Sequence, residues 1–398
     1  MLSALFAARN GASVTLLERN EKLGKKIYIT GKGRCNVTNA CDTEEFLRNV
    51  PRNPRFLYSA LRLLSPQDML ALLNELGCET KVERGRRAFP VSDKASDVTR
   101  ALEKGMIKAG VKIRLNARVQ RLVTEENEIT GVQLENGEIL HAGAVIVCTG
   151  GLSYPSTGST GDGLRFAQET GHKIIDTKPS LVGLITKETW PAQLQGLALK
   201  NICLTGRSCG KIIYSEMGEM LFTHFGVSGP LVIELSSHLP EGKPSEMLLD
   251  LKPGLTNEQL DQRLTRELAA AGKKQLSSVL QTLLPRSFAD LFPVLCGVDG
   301  KTPCSQVTGK NRQLIIQTLK ALPLTIAATR PLQEAIVTRG GVDTRMIAPA
   351  TMASKQIAGL YFAGEMIDVD AHTGGYNLQI AFATGALAGK SAADYLQS

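Results

Sequence analysis

An α/β fold built on a parallel sheet and interrupted by a second domain is what the sequence predicts. Three observations lead there. The chain opens with an amphipathic helical stretch, a turn, and the apolar run SVTLLE that ends in the carboxylate of Glu18. A second apolar run, AVIVCTGG, passes straight into the paired glycines Gly150 and Gly151. The strand pattern then lapses from about residue 185 and returns at AIVTRGGVDT.

Taken in order, the first helix ends at Asn10-Gly11, where glycine supplies the left-handed residue of a cap, and SVTLLE follows as a buried parallel strand. Glu18 falls where a dinucleotide-binding βαβ unit carries the acidic residue that accepts ribose hydroxyls. Residues 55–77 and 95–109 have helical apolar spacing, while 111–115, 118–124, 129–134 and 139–141 read as short strands of a small sheet. AVIVCTGG reads as a central strand ending at a ligand. Irregular β segments up to residue 252, then the helical stretches TNEQLDQRLTRELAAAG and NRQLIIQTLKALP, make an inserted domain over 185–336. Residues 1–184 and 337–398 are then two parts of one split domain. Its second part holds GLYFAGEMID and a glycine-initiated helix running almost to the C-terminus.

Hydrophobic content of 43% and charged content of 21% are those of a globular protein, and no apolar run approaches the ~18 residues of a membrane span. The N-terminus lacks the basic region of a signal peptide, so the expected location is the cytoplasm. Eight cysteines are scattered without a C-x-x-C pair or a Cys/His cluster, which argues against a zinc site, any other metal centre of that kind and a disulfide scaffold. The net charge of +8 is concentrated in residues 81–121, with twelve Lys/Arg against four Asp/Glu. That segment is either a solvated face or a landing surface for a polyanion such as RNA.

The densest motif is GKKIYITGKGRCNVTN, Gly24–Asn39. Gly31 and Gly33 allow backbone N–H groups close to a phosphate, and Lys25, Lys26, Lys32 and Arg34 offset its charge. CTGG and AGE, the latter ending at Glu365, place turns and a carboxylate at the carboxyl edge of the sheet. GGYNLQ starts the last helix, whose positive dipole end can face the electron-rich N1/O2 edge of a flavin. GSTGDG (158–163) is either a structural connection or a cofactor contact. For a proton donor the candidates are His372 beside Gly374-Gly375, Tyr154 and Cys35 on loops expected to face the ring, and His224, which can equally be a packed core residue. A second GxGxxG is absent, so NAD(P)H visits the flavin transiently or another donor reduces it.

Together with TGGLSYPSTGSTGDG, GEMLFTHFGVSGP and TRGGV, these segments resemble the BaiN/YhiN-like family of NAD(P)/FAD-dependent oxidoreductases over the whole chain. The family is a branch of the glutathione-reductase-type flavoproteins. The resemblance implies a Rossmann-type FAD-binding domain split by a β-barrel-like unit and a helical unit. It further implies FAD contacts from Glu18, Arg19, Lys25, Lys26, Gly31, Gly33, Arg34, Asn36, the backbone at Val119, Thr149, Gly150, Gly151, Gly364, Glu365, Asn377, Leu378 and Gln379. Family members begin with a strand and GxGxxG just upstream of the residue matching Leu2, and neither is present here. The expectation is a misassigned start or a fragment that holds FAD weakly.

The activities the resemblance implies are reduction of a conjugated C=C bond, as in uridine of ribosomal RNA or steroid-like bile-acid intermediates, and oxidation of small amines such as aminoacetone. A reading of another class is a flavin-free remnant acting as a binding protein. The charge of segment 81–121 favours the RNA substrate. Oligomeric state stays open.

Overall fold

The computed structural model describes residues 1–398. The chain divides into two compact units, Met1–Ser180 with Pro331–Ser398, and Leu181–Arg330. The borders expected from sequence lie a few residues C-terminal of these.

In the first unit the helix Leu2–Arg9 packs on the last helix, Tyr376–Gln397. Small residues allow this: a Cβ on Gly389 would lie 2.2 Å from the Ser3 carbonyl oxygen. The first helix ends as expected, with the Asn10 side chain donating to Phe6 O and Gly11 at φ 89°.

Thr15–Leu17 pairs in parallel with Lys112–Arg114, and Val145–Val147 pairs in parallel with Leu360–Phe362. These are separate two-stranded ladders. Both runs read from sequence as buried strands, yet Thr15 is exposed and Leu16, Leu17, Val145 and Ile146 are half-buried. Each strand has a single hydrogen-bonded neighbour, which covers it less than two would.

Lys112–Arg114 therefore stands apart from the small antiparallel sheet of Val119–Glu125, Glu128–Leu134 and Ile139–His141. The helix expected over 55–77 is broken into Pro54–Leu57, Tyr58–Leu63 and Pro66–Glu75. Proline disfavours helical geometry at Ser65, which instead caps the next helix in a reciprocal box with Asp68. A second small sheet, Thr38–Asn39, Arg87–Pro90 and Thr80–Val82, has strands too short to announce themselves by alternation. Leu5, Phe46, Leu61, Leu102, Met106 and Phe362 are fully buried in the core of this unit.

The second unit is built on a closed six-stranded barrel. Around it run Leu184–Thr186, Gly226–Ser228, Lys211–Thr223, Ala198–Ser208, Ser245–Asp250 and Leu322–Thr329. The sequence suggested a β part followed by a helical part. Instead the helices Asn257–Ala271, Leu276–Leu280, Arg286–Leu295 and Gly309–Lys320 interrupt the barrel, and the strand after them closes it. Trp190, Phe222 and Phe288 join barrel to helices, with ring centroids 5.6–6.1 Å apart. All eight cysteines are free thiols. No helix is long and apolar enough to cross a membrane.

Candidate cofactor site

The site is assembled in the first unit from segments far apart in sequence. After the short helix Lys25–Ile29 the chain turns tightly, with positive φ at Gly31, Lys32, Gly33 and Cys35. A Cβ on Gly31 would lie 2.8 Å from Asn36 N, so this position requires glycine on two counts. Thr38–Asn39 then pairs with Arg87–Ala88, and Asn39 Nδ2 donates to Gly374 O at 3.2 Å. Gly375, at φ 100°, caps the last helix, and a Cβ there would meet the Thr38 carbonyl carbon at 2.4 Å and Asn36 Oδ1 at 2.9 Å. The loop and the helix start are thus pressed together.

Three buried side-chain atoms in these segments lack a hydrogen-bond partner: Asn36 Oδ1, Thr149 Oγ1 and Gln379 Oε1. Leaving a buried polar atom unsatisfied costs about 1–3 kcal/mol, and such atoms in a folded protein are normally met by water or ligand. All three belong to residues expected to touch FAD. These oxygens therefore fit a polar cofactor that brings hydrogen-bond donors.

Glu365 follows the strand Leu360–Phe362 in a single helical turn. Its carboxylate accepts from Thr338 N at 2.8 Å and Ser153 Oγ at 2.7 Å, and pairs with Lys26 Nζ at 3.1 Å. Thr338 Oγ1 accepts from the N–H groups of Leu152 and Ser153 at 2.8 and 3.1 Å. Gly151 leaves room for this, since a Cβ would lie 2.4 Å from that hydroxyl. Ser153 and Thr338, both fully or nearly buried, hold Glu365 in place, and sequence reasoning missed them. Only their placement beside the paired glycines of TGGLSY and TRGGV hinted at a role.

At the far end, Glu18 Oε1 accepts from Asn20 N at 2.9 Å and Asn20 Nδ2 at 2.7 Å. Asn20 Nδ2 also donates to Thr157 O. Arg19 reaches Thr160 and Asp162, and Arg118, just before Val119, also binds Asp162. Burial raises the Asp162 carboxyl, but the hydrogen bond and charge of Arg118 and the charge of Arg19 outweigh it and hold the group below its usual range. These contacts clamp GSTGDG to the Glu18–Asn20 strand end.

Other expected site residues are otherwise engaged. Lys25 pairs with Glu21 at 2.8 Å. Arg34 pairs with Glu83 and Asp93 and lies over the Phe89 ring, so its charge is already matched without a phosphate. Gly33 keeps a positive φ with open space around it. Gly150, at φ 74°, packs against Ser159, and the Gly364 N–H donates to Thr384 Oγ1. Asn377 spends its amide on the backbone of Ala371 and His372, Gln379 Nε2 donates to Leu64 O, and Leu378 is half-buried.

Among the proton-donor candidates, Cys35 is fully buried, and burial pushes its thiol up to about 12. Its side chain is packed in the core of this unit, on a loop expected from the sequence to turn toward the flavin ring. Tyr154 is 36% exposed, holds a left-handed backbone at φ 49°, and has Lys26 Nζ 5.9 Å from its ring centroid. His372 is half-buried in the turn before the last helix, its N–H bonded to Asn49 O. His224 belongs to the second unit, exposed in a barrel turn against the edge of Phe225, so it is no packed core residue.

Five of the twelve cations of the basic segment are paired with acids. Lys81 pairs with Asp93, Arg86 with Glu45, Arg100 with Asp97, Arg114 with Glu138, and Arg118 with Glu135 and Asp162. Arg84 and Arg87 are exposed and make no ion pair.

The profile of the HI0933-like protein Rossmann domain matches residues 1–391. The 3-dehydro-bile acid delta(4,6)-reductase of Clostridium scindens is 32% identical over 99% of this chain and 96% of its own length. The ribosomal RNA dihydrouridine synthase of Haemophilus influenzae is 31% identical over 96% of this chain and 93% of its own. Among solved structures, a quinol-fumarate reductase with menaquinol molecules superposes on all of this chain and 69% of its own with a TM-score of 0.54 at 16% identity, a likeness of fold. On the family match and the two relatives, the chain belongs to the HI0933-like family of FAD-dependent oxidoreductases.

Proposed function

We propose that the chain reduces a conjugated C=C bond, that its substrate is uridine in ribosomal RNA, that NAD(P)H is the electron donor, and that it works in the cytoplasm. One observation carries the choice of RNA. Arg84 precedes Gly85, whose carbonyl accepts from Asn39 Nδ2, and Arg87, two residues beyond Gly85, itself pairs with Asn39. Asn39 in turn holds Gly374. Two unpaired guanidinium groups therefore stand beside the junction of loop and last helix, where they can fix phosphates while a base enters. The relatives' names support the chemistry, since a dihydrouridine synthase and a delta(4,6)-reductase both add hydrogen across a C=C bond.

FAD, when bound, supplies the hydride chemistry. The chain's own residues do the rest. Glu18, oriented by Asn20, is the acceptor for the adenosine ribose. Glu365, fixed by Ser153, Thr338 and Lys26, is the acceptor further along the cofactor. Asn36, Thr149 and Gln379 offer the unsatisfied oxygens, and the start of the last helix presents its positive dipole end. Tyr154 is the exposed hydroxyl that can hold the proton for the second carbon.

Binding of a ribosomal RNA fragment over a range of salt tests the reading. Replacing Arg84 and Arg87 by Gln should lower the magnitude of the log–log salt slope by about 2 units, because each phosphate contact contributes close to one. Arg86→Gln, whose partner is Glu45, should change it less. Equal slopes in all proteins, with unchanged dihydrouridine in ribosomal RNA of cells lacking the protein, would refute it.

A further inference from the structure

The second unit carries a cleft of about 380 Å³ with Lys200, Asn201, Lys252 and Arg263 in its lining. An adjoining apolar hollow of about 250 Å³ shares Lys200 and Lys252 and extends over Leu199, Ile202, Leu283 and Leu284. Neither takes part in the cofactor site.

Local structure concentrates positive charge there. Along Ala198–Ser208 the register jumps between Leu199, opposite Met220, and Ile202, opposite Gly218. Asn201 sits in this bulge at φ 54°, and Lys200 and Asn201 are both exposed. A bulge re-aims side chains at the cost of two ladder bonds. On the opposite wall, Lys320 Nζ takes the carbonyls of Lys252 and Leu255 at 3.2 and 2.8 Å and pairs with Asp250 at 2.6 Å. The neighbouring acceptors are thereby consumed by a cation outside the lining. Arg263 is fixed by Glu267 and by Thr282 O.

Lys252 has no such partner. Its ammonium is half-buried and meets no acceptor, and both burial and the charge of Arg263 oppose its protonation. No carboxylate lines either hollow. A partly desolvated ammonium without a counter-charge is unfavourable, and an anion beside Lys252 removes the penalty. The apolar end is made of Leu, Ile and Pro without an aromatic ring, so it offers a nucleobase nothing to stack on.

We propose that this cleft binds a small organic anion with an aliphatic body, its oxyanion head among Lys200, Lys252 and Arg263 and its body over Leu199, Ile202, Leu283 and Leu284. The head is recognised by charge and the body by burial of apolar surface, so neither half suffices alone.

Calorimetric titration of the intact chain with decanoate, below its micellar range, tests this against decanol, inorganic phosphate and uridine 5′-monophosphate. Decanoate should bind at least about ten-fold more tightly than each of the other three, the step expected from one hydrogen bond to a charged group. Lys252→Gln should weaken decanoate by a similar factor while thermal unfolding shows the variant folded, and Lys200→Gln should weaken it less. Equal decanoate affinity in wild type and Lys252→Gln would overturn the site. Phosphate as tight as decanoate would overturn the aliphatic body, and so would the uridine nucleotide. The Arg84/Arg87 variant should bind decanoate normally, which keeps this outcome separate from that of the RNA proposal.

Discussion

The loop Gly24–Asn39 and the segment 81–121 look alike in sequence, both basic and both punctuated by glycine, yet they are opposites in the fold. In the loop, packing leaves the Asn36 side-chain oxygen buried and unanswered, and glycines bring two backbones within contact. In the segment, acids drawn from inside and outside it answer five of its twelve cations, and the exposed Arg84 and Arg87 are among those left without an ion pair. A count of charges along a sequence thus says little about free charge. An unsatisfied buried oxygen is the better sign of a missing partner, because its cost cannot be screened by water.

Three substitutions sharpen or break this contrast. Gly375→Ala should have the largest effect, because the new Cβ meets the Thr38 backbone at 2.4 Å in a left-handed conformation. A loss of about 3 kcal/mol in urea unfolding is expected from the clash and the strain together. Stability within 0.5 kcal/mol of wild type, to take a rough threshold for ordinary surface changes, would mean that loop and helix are not pressed together.

Ser153→Ala should cost less, about 1–2 kcal/mol, by removing the hydroxyl that joins Lys26 to Glu365 in a buried setting. FAD affinity should fall along with stability, because Glu365 loses one of the contacts that fix it. Unchanged FAD affinity in a destabilised protein would make Ser153 a packing residue alone.

Asp93→Asn should have the smallest effect on stability. Hydrogen bonds from Lys81 and Arg34 hold the Asp93 carboxyl below its usual range. The folded value being lower than the unfolded one, its contribution is present above about pH 4 and fades as pH falls through the folded value. The variant should lose this acid-side dependence in a series of urea midpoints. It should also bind heparin somewhat more tightly at pH 7, since Lys81 and Arg34 each lose one of two carboxylate partners and keep only Glu83. Equal heparin affinity would show that these cations were never effectively neutralised.

Much of the fold was legible because its signals are local. The helix Ala95–Lys108, the strands of 119–141 and the glycine start of the last helix follow from apolar spacing and cap residues within a few positions. The closing barrel strand Leu322–Thr329 was not, since it carries Pro323 and follows a helix directly; its partners Ser245–Asp250 and Leu184–Thr186 are remote in sequence. The site divides the same way. Glu18, Glu365 and Asn36 stand in recognisable surroundings, whereas Ser153 and Thr338 gain their role only when sequence-distant turns meet. The burial of Cys35 was hidden for a related reason: a loop rich in glycine does not reveal which of its side chains turns inward.

The packing of the first helix on the last has a consequence for synthesis. Leu2–Arg9 leaves the ribosome early, but its partner surface on Tyr376–Gln397 is made only at the end. The second unit is one continuous stretch, Leu181–Arg330, and can complete its barrel as soon as Leu322–Thr329 emerges. The order of folding is therefore inverted relative to the order of translation: the unit begun first finishes last. Until then, apolar residues such as Leu2 and Leu5 wait without cover, which makes the nascent first unit the stage at which this chain most needs protection from aggregation.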